Sequence, residues 1–142
     1  MGDFRKLSVW KKAHELALSI YWETSHWPKQ ELYGLTSQSR RAAVSVAANI
    51  AEGCGKNSDG ELAKHARQSM GSGSELSYYL ILAHDLGYTP RARRDELQDA
   101  LSEVRRMLTA LERVSATAAE RLLPGTKLHR KSVVVPAVRA DG

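Results

Sequence analysis

Residues 58–87 read SDGELAKHARQSMGSGSELSYYLILAHDLG, and this stretch decides the fold. Ser58 followed by Glu61 has the spacing of a capping box, in which the serine hydroxyl accepts from the third helical amide and the glutamate reaches back. Gly87 is typical of a helix C-terminus. Between these ends, apolar or small residues recur at steps of three and four: Leu62, Ala66, Met70, Gly73, Leu76, Leu80, Ala83 and Leu86. This period predicts one long amphipathic helix over about 59–86.

Three more segments with the same period flank this helix. Their predicted bounds are about 9–25, 35–52 and 90–120. Ser8 is the expected N-cap of the first helix, Gly53 the expected exit of the second, and Thr89-Pro90 the expected N-cap and first residue of the last. The connections are short, and no pair of strand-like segments competes. The sequence therefore predicts an all-α fold, an antiparallel up-down-up-down four-helix bundle.

The composition is that of an ordinary globular protein. The chain has 142 residues, of which 42% are hydrophobic and 26% charged, and it contains one cysteine. This length favours a single domain, and one cysteine excludes an internal disulfide or a multi-cysteine zinc site. No run of 18 apolar residues is present, and no apolar core follows the mixed-charge start. We therefore expect a cytoplasmic protein without a membrane span or signal peptide.

The net charge of +5 is unevenly distributed along the chain. Residues 1–120 hold 16 Lys and Arg against 15 Asp and Glu, whereas residues 121–142 hold five against one. A Pro-Gly pair breaks any helix entering the second segment. We therefore predict a bundle domain over 1–120 and a basic, flexible tail over 121–142. Lys127, Arg130 and Lys131 of this tail would strengthen weak, salt-dependent association with RNA or DNA.

No arrangement of residues predicts catalysis or a bound cofactor. A di-metal bundle needs Glu-x-x-His on two helices, and the one such spacing, Glu23 to His26, stands at a helix end. Glu61 and His65, four apart, are interpreted as a surface pair. The Gly-Lys pair at 55–56 lacks the preceding glycine and the following Ser or Thr of a phosphate-binding loop. We expect no catalytic residues, no metal ligands and no cofactor.

Polar residues inside the bundle indicate a structural network. Helices two and three carry its predicted members: Arg41, Ser45, Asn49, Glu52 and Glu75. The first three fall on one stripe at steps of four, and a partly buried network of this kind fixes the register of helices. The glycines of the segment 71–74 each cost about 1 kcal/mol relative to alanine in a helix. We expect that they allow another helix to approach closely.

Basic residues are the remaining signal for function. They occur in local pairs and triplets: Arg40, Arg41, Arg91, Arg93, Arg94, Arg105 and Arg106. Acids stand near several of them, so a solvated mixed surface is at least as good an interpretation as a phosphate-binding one. Clustering in three dimensions, or repetition in an oligomer, is needed to build a surface for RNA or DNA.

Several segments carry a resemblance to a known family: DFRKLSVWKKAHEL (3–16), YGLTSQ (33–38), RRAAVS (40–45), NIAEG (49–53) and DLGY (85–88). They are similar to the opening, central and third-helix signatures of small bacterial four-helix bundle proteins encoded in intervening sequences of large-subunit ribosomal RNA genes. The resemblance covers about residues 3–115. It implies a ring-shaped homopentamer. It also implies kinship with the accessory variability determinant of diversity-generating retroelements, a basic pentamer that binds nucleic acid and its reverse transcriptase.

Two hypotheses for function follow. The first is a non-enzymatic, oligomeric bundle that binds RNA or DNA through repeated basic surfaces, because no enzymatic activity is established for the family that the chain resembles. The alternative is a protein-interaction adaptor that docks a partner such as a reverse transcriptase.

Overall fold

A computed structural model describes residues 2–122 of the chain. Four helices account for most of this part: α1 Ser8–Thr24, α2 Leu35–Gly55, α3 Asp59–Asp85 and α4 Arg91–Glu120. No strand occurs among the described residues. Each helix packs against the next, and α4 packs back against α1, so α1 and α3 lie diagonally across the bundle. The predicted all-α four-helix bundle is confirmed.

The core is built from aliphatic side chains at steps of three and four along all four helices. Its largest fully buried members are Val9, Leu16, Ile20, Val46, Ile50, Leu76, Leu80, Leu97, Leu101, Val104, Leu108 and Leu111. Burying such a side chain contributes about 1.5–3 kcal/mol. A smaller cluster of Trp27, Leu35 and Ala83 closes the end of the bundle at which α1 connects to α2 and α3 to α4.

The predicted N-cap and C-terminal glycine of α3 are confirmed, but among the described residues Glu61 makes no return bond, so only the serine half of the predicted capping box forms. Ser58 is the N-cap, and its hydroxyl accepts from the amide of the third helical residue at 3.2 Å. At the other end Gly87 takes a left-handed backbone with a φ of 83°. Its N–H donates to the His84 carbonyl and the Tyr88 N–H donates to the Ala83 carbonyl, both at 2.9 Å. This pair of bonds is a Schellman motif, which requires the positive φ that glycine adopts without strain.

Ser58→Ala is expected to lower the free energy of unfolding by about 1 kcal/mol, because an amide at the start of α3 loses its acceptor. Ser102, which is exposed in α4, supplies the control, and Ser102→Ala should change stability by no more than about 0.5 kcal/mol. Urea denaturation followed by circular dichroism measures both values. Equal midpoints for the two variants would contradict a role for the cap.

The predicted starts of α1 and α4 are each wrong by one residue. Ser8 is the first residue of α1 rather than its cap, because the extended residue Leu7 occupies the capping position. Likewise α4 begins at Arg91, and Pro90 occupies its capping position. The Thr89 hydroxyl does not cap α4, since it is engaged with side chains from α1 and the residues that follow α1.

α2 continues beyond its predicted end. Gly53 lies inside this helix, which runs to Gly55 and stops shortly before Asn57, whose φ of 56° is left-handed. A Cβ atom on Gly53 would lie 2.8 Å from the Cβ of His65 and 3.1 Å from a methyl group of Leu62, both in α3. The glycine is therefore required by the close approach of two helices and not by a helix terminus.

The two glycines of the segment 71–74 in α3 have different surroundings. Gly73 packs against α4, and a Cβ on it would lie 3.4 Å from side-chain carbons of Leu101 and Arg105, which is ordinary contact; the predicted location against another helix is found, but the contact does not require glycine. Gly71 is exposed, and a Cβ on it would meet nothing within 4 Å. The packing role is therefore wrong for Gly71, and no contact within residues 2–122 accounts for this glycine.

Candidate interaction surfaces

A buried carboxylate joins the end of α1 to the start of α4. Glu23 Oε1 accepts from Arg93 Nε at 3.2 Å, and its Oε2 accepts from Thr89 Oγ1 at 3.0 Å. Trp27 Nε1 donates to the same threonine hydroxyl at 2.9 Å. The Arg93 guanidinium also lies 5.5 Å from the centre of the Trp22 ring. Arg93 is thus the ion-pair partner of a buried group, a role that competes with phosphate binding.

Two further arginines predicted to bind nucleic acid are engaged within the bundle. Arg40 Nε donates to Thr24 Oγ1 at 2.8 Å, and its guanidinium lies 4.7 Å from the centre of the Tyr21 ring. Arg40 therefore stabilises the contact between α1 and α2. Arg94 pairs with the neighbouring Asp95 at 2.9 Å. The side chain of Arg40 is therefore held in place by neutral groups, whereas the charge of Arg94 is balanced by a carboxylate.

The remaining predicted arginines are more exposed but do not meet in one copy. Three of them have side chains that form no hydrogen bond or ion pair with any residue between 2 and 122: Arg41, Arg91 and Arg106. Arg105 donates to Ser74 Oγ at 3.1 Å. Arg41 stands on α2 and the others on α4, and these helices lie diagonally across the bundle. Lys127, Arg130 and Lys131 lie outside the described residues.

A polar network joins α2 to α3. Ser45 Oγ lies 2.8 Å from Ser72 Oγ. Asn49 Nδ2 donates to the Ser45 carbonyl at 3.0 Å, and Asn49 Oδ1 lies 3.1 Å from His65 Nδ1. The other ring nitrogen of His65 is 3.5 Å from Glu52 Oε2. Because the Asn49 amide nitrogen is already a donor to Ser45, its oxygen accepts, and His65 Nδ1 carries the proton.

The membership of this network differs from the prediction. Arg41 and Glu75 are exposed and lie outside it, while His65 and Ser72 belong to it. His65 is only 5% exposed and is not the surface partner of Glu61. The sequence does not indicate this, because the contacts of His65 come from α2. Among residues 2–122 no group of three or more His, Cys, Asp or Glu side chains could hold a metal ion.

Glu31 links the two connections at one end of the bundle. Tyr88 donates its phenolic hydrogen to Glu31 Oε2 at 2.8 Å, and the Leu35 amide donates to Oε1 at 3.1 Å. The bond from Tyr88, followed by the bond from the Leu35 amide, lowers the pKa of the Glu31 carboxyl. Its stabilising contribution is therefore present above the ordinary carboxyl pKa and is lost as the pH falls through the lowered value.

The bundle has two halves with different surfaces. The closed half, which carries the α1–α2 and α3–α4 connections, comprises residues 17–44 and 73–104; the open half comprises residues 2–16, 45–72 and 105–122. The closed half holds six Lys and Arg against eight Asp and Glu, and the open half holds eleven against seven. Residues 123–142, which follow the open half in the chain, hold four against one. Positive charge therefore collects on the open half.

Exposed apolar side chains collect on the closed half. Of the ten large ones among residues 2–122, nine belong to it: Leu18, Tyr21, Trp22, Leu32, Tyr33, Val44, Tyr78, Ile81 and Leu86. Trp22 is 60% exposed and Tyr33 is 92% exposed. These residues stand on α1, α2, α3 and the two connections of this half, so apolar surface is available there for contact with another molecule.

Two exposed arginines of α4 in the open half, Arg106 and Arg113, are the best candidates for phosphate binding, and we call them the basic row. Lys12 Nζ pairs with Glu103 Oε1 at 3.1 Å, which aligns α1 with α4. Arg106 and Arg113 follow on the same side of α4, seven residues and about 10 Å apart, and both are exposed without a partner among residues 2–122. The prediction missed Arg113 because it stands singly beside Glu112. The signal that could have found it is its spacing of seven residues from Arg106, which places both on one side of a helix.

Comparison with known proteins decides the family. A family model described as 23S rRNA-intervening sequence protein matches residues 5–110. The chain belongs to the 23S rRNA-intervening sequence protein family. The family match contains the first three helices and α4 as far as Ala110, whereas Arg113 and residues 123–142 lie beyond it.

This member of the intervening-sequence protein family is also similar to a solved structure. That structure is of a protein of unknown function from the S23 ribosomal protein family of Bacteroides thetaiotaomicron VPI-5482. The two chains are 21% identical, with a TM-score of 0.66, and the match covers 73% of this chain and 97% of the other. At this identity the likeness supports the fold alone. No curated protein matches the chain, and no helix among residues 2–122 is long and apolar enough to cross a bilayer.

Proposed function

We propose that the protein is a non-catalytic accessory protein of the cytoplasm that binds RNA or DNA through its open half and associates with further copies through its closed half. One observation carries this proposal: positive charge and exposed apolar surface are separated between the two halves of the bundle. A surface rich in arginine and lysine binds phosphate with the release of counterions. An apolar surface gains free energy when another protein covers it.

Association would compensate for the small charge of one copy. The described residues of a single chain hold 17 Lys and Arg against 15 Asp and Glu, which supports only weak binding. In the homopentamer that the family resemblance implies, the +5 of each chain would become about +25, and several weak phosphate contacts would act together. The pentamer and the kinship with the accessory variability determinant remain predictions.

The proposal predicts that Arg106→Gln combined with Arg113→Gln weakens binding of a short fluorescent duplex DNA. A plot of log affinity against log salt concentration has a negative slope, and this slope should become shallower by about 1.8, since each lost phosphate contact contributes about 0.9. Fluorescence anisotropy at several salt concentrations measures both effects. Arg41→Gln combined with Arg91→Gln is the matched control, because it removes the same charge from exposed, unpaired positions of the closed half.

Two outcomes would remove the proposal. In the first, the native chain fails to bind duplex DNA and RNA even at low salt. In the second, the two double variants lose affinity equally, which would show that only net charge matters. Removing residues 123–142 from the native chain separates their contribution from that of the bundle.

The exposed aromatic residues favour a second candidate function, an adaptor that docks a different protein such as a reverse transcriptase. Tyr33 and Trp22 are exposed and have the residue types that are enriched among the anchors of protein–protein interfaces. A partner that stays bound after nuclease treatment, and is released by Trp22→Ser but not by the double variant of Arg106 and Arg113, would support the adaptor over the nucleic-acid-binding protein.

A further inference from the structure

The basic row has one acidic neighbour on its own helix. Side chains three and four residues apart lie next to each other on an α-helix, whereas those one or two residues apart do not. The positions at these spacings from Arg106 are 102, 103, 109 and 110, and of these only Glu103 is an acid. The positions at these spacings from Arg113 are 109, 110, 116 and 117, which hold no acid. Glu103 is therefore the residue of α4 that is placed to neutralise the row.

The spacing of Glu103 and Arg106 favours an ion pair between them. An acid that precedes a base by one helical turn pairs with it, and this order also suits the helix dipole. An arginine held by a carboxylate has less of its charge available for a phosphate group. Local spacing alone would thus give a neutralised Arg106, and the fold departs from this.

A lysine from another helix holds the Glu103 carboxylate instead. Lys12 Nζ lies 3.1 Å from Glu103 Oε1, so the carboxylate is directed at α1. The Arg106 side chain makes no hydrogen bond or ion pair among residues 2–122. The paired side chains of Lys12 and Glu103 are 49% and 44% exposed, and a pair so exposed adds little to stability. The main effect of the pair is therefore on the direction of the carboxylate.

A second pair between helices provides a comparison. Arg67 Nη1 of α3 lies 2.8 Å from Glu112 Oε1 of α4. No arginine stands three or four residues from Glu112 in the sequence. Arg113 is its direct neighbour, and successive side chains of a helix point about 100° apart. Release of Glu112 would therefore leave the basic row uncovered, whereas release of Glu103 would cover Arg106.

We propose that Lys12 is a positioning residue for phosphate binding, which keeps Arg106 available by holding Glu103 toward α1. This role rests on the proposed function and names a residue that prepares its binding surface. The ligand is the phosphodiester backbone of a nucleic acid, and Lys12 acts on it through Glu103 rather than by contact.

Fluorescence anisotropy with the same duplex DNA tests this role. Lys12→Met should weaken binding about two- to threefold, because the freed Glu103 forms only an exposed pair across one helical turn. Adding Glu103→Gln gives back the native net charge and should restore the affinity. Lys12→Arg keeps a cation at this position and should bind like the native chain. Arg67→Met is the matched control, since it breaks a pair and removes one charge without covering Arg106, and it should weaken binding much less.

Three results would overturn the role of Lys12. Equal losses for Lys12→Met and Arg67→Met would mean that only net charge matters. A double variant of Lys12→Met and Glu103→Gln that binds as weakly as Lys12→Met would mean that the lysine contacts phosphate itself. Weaker binding by Glu103→Gln alone would mean that the pair acts by joining two helices, because a positioning role requires binding at least as tight as that of the native chain.

Nuclear magnetic resonance of the Arg106 Nε group tests the same role without DNA. Its signal should shift in Lys12→Met, return when Glu103→Gln is added, and stay unchanged in Arg67→Met. This pattern in a protein whose native chain fails to bind DNA would contradict the proposed function alone. DNA binding by the native chain together with an unshifted signal in Lys12→Met would contradict the role of Lys12 alone.

Discussion

Arg93→Met is expected to lower the free energy of unfolding by about 3 kcal/mol. The Glu23 carboxylate is buried, and Arg93 is its charged partner at 3.2 Å. Removing one member of a buried ion pair leaves an uncompensated charge, which costs about 3–5 kcal/mol when the pair is fully buried. The partial exposure of the Arg93 side chain places the expected value at the lower end. Guanidinium denaturation monitored by tryptophan fluorescence and circular dichroism measures the loss.

Two further variants show whether the buried charge is the cause. Arg91→Met removes an exposed, unpaired arginine two residues earlier, and we expect a change within about 0.5 kcal/mol. Glu23→Gln combined with Arg93→Met removes both charges, and the glutamine can still accept from Thr89. The double variant should therefore recover most of the stability. If it is less stable than Arg93→Met alone, lost packing of the arginine stem explains the effect better than charge.

Gly53→Ala is expected to lower the free energy of unfolding by about 2 kcal/mol. The new Cβ would lie 2.8 Å from His65 Cβ and 3.3 Å from Leu62 Cα. Neither of these atoms moves by a simple rotamer change, so α2 and α3 must separate. Overpacking of this kind costs about 1–3 kcal/mol and sometimes more, which exceeds the gain of about 1 kcal/mol from replacing a helical glycine.

Gly55→Ala is the control for this effect. It lies in the same helix two residues later, and its Cβ would meet nothing within 4 Å. We expect unchanged or slightly higher stability from its better helix propensity. Urea midpoints for both variants give the comparison, and nuclear magnetic resonance of the His65 ring reports whether α3 has shifted. A Gly53→Ala variant as stable as Gly55→Ala would mean that the helices separate at little cost.

The four helices could be predicted because their burial repeats along the sequence. In α3, for example, the spacing along the helix places three leucines on one face whatever the angle between the helices: Leu62, Leu76 and Leu80. The period alone therefore indicates which side of α3 is buried. The helix ends are harder to predict, because competing contacts come from distant residues. Thr89 has the residue type of an N-cap, yet its hydroxyl bonds to Trp27 and Glu23, more than 60 positions earlier. No local pattern contains that information.

The candidate surfaces could be predicted only in part. Arg40, Arg93 and Arg106 look alike in the sequence, since each stands in or near a basic pair. In the fold, Arg40 is held against Tyr21 and Thr24 and Arg93 pairs with a buried acid, so of the three only Arg106 has a side chain that makes no bond among residues 2–122. The exposed apolar side chains could not be predicted either, because Leu18 and Trp22 have residue types that are typical of a core. Their exposure becomes evident only when the buried face of α1 is known.

The separation of the two halves also has a practical consequence for labelling. Glu120 lies in the open half, two turns beyond Arg113 in α4, so a bulky fluorophore or fusion protein there would screen Arg113 and leave the exposed aromatic side chains of the closed half accessible. A label in the connection at 86–90 would do the reverse. Paired labels at these sites would therefore allow binding and assembly to be blocked one at a time without any substitution of the surfaces themselves.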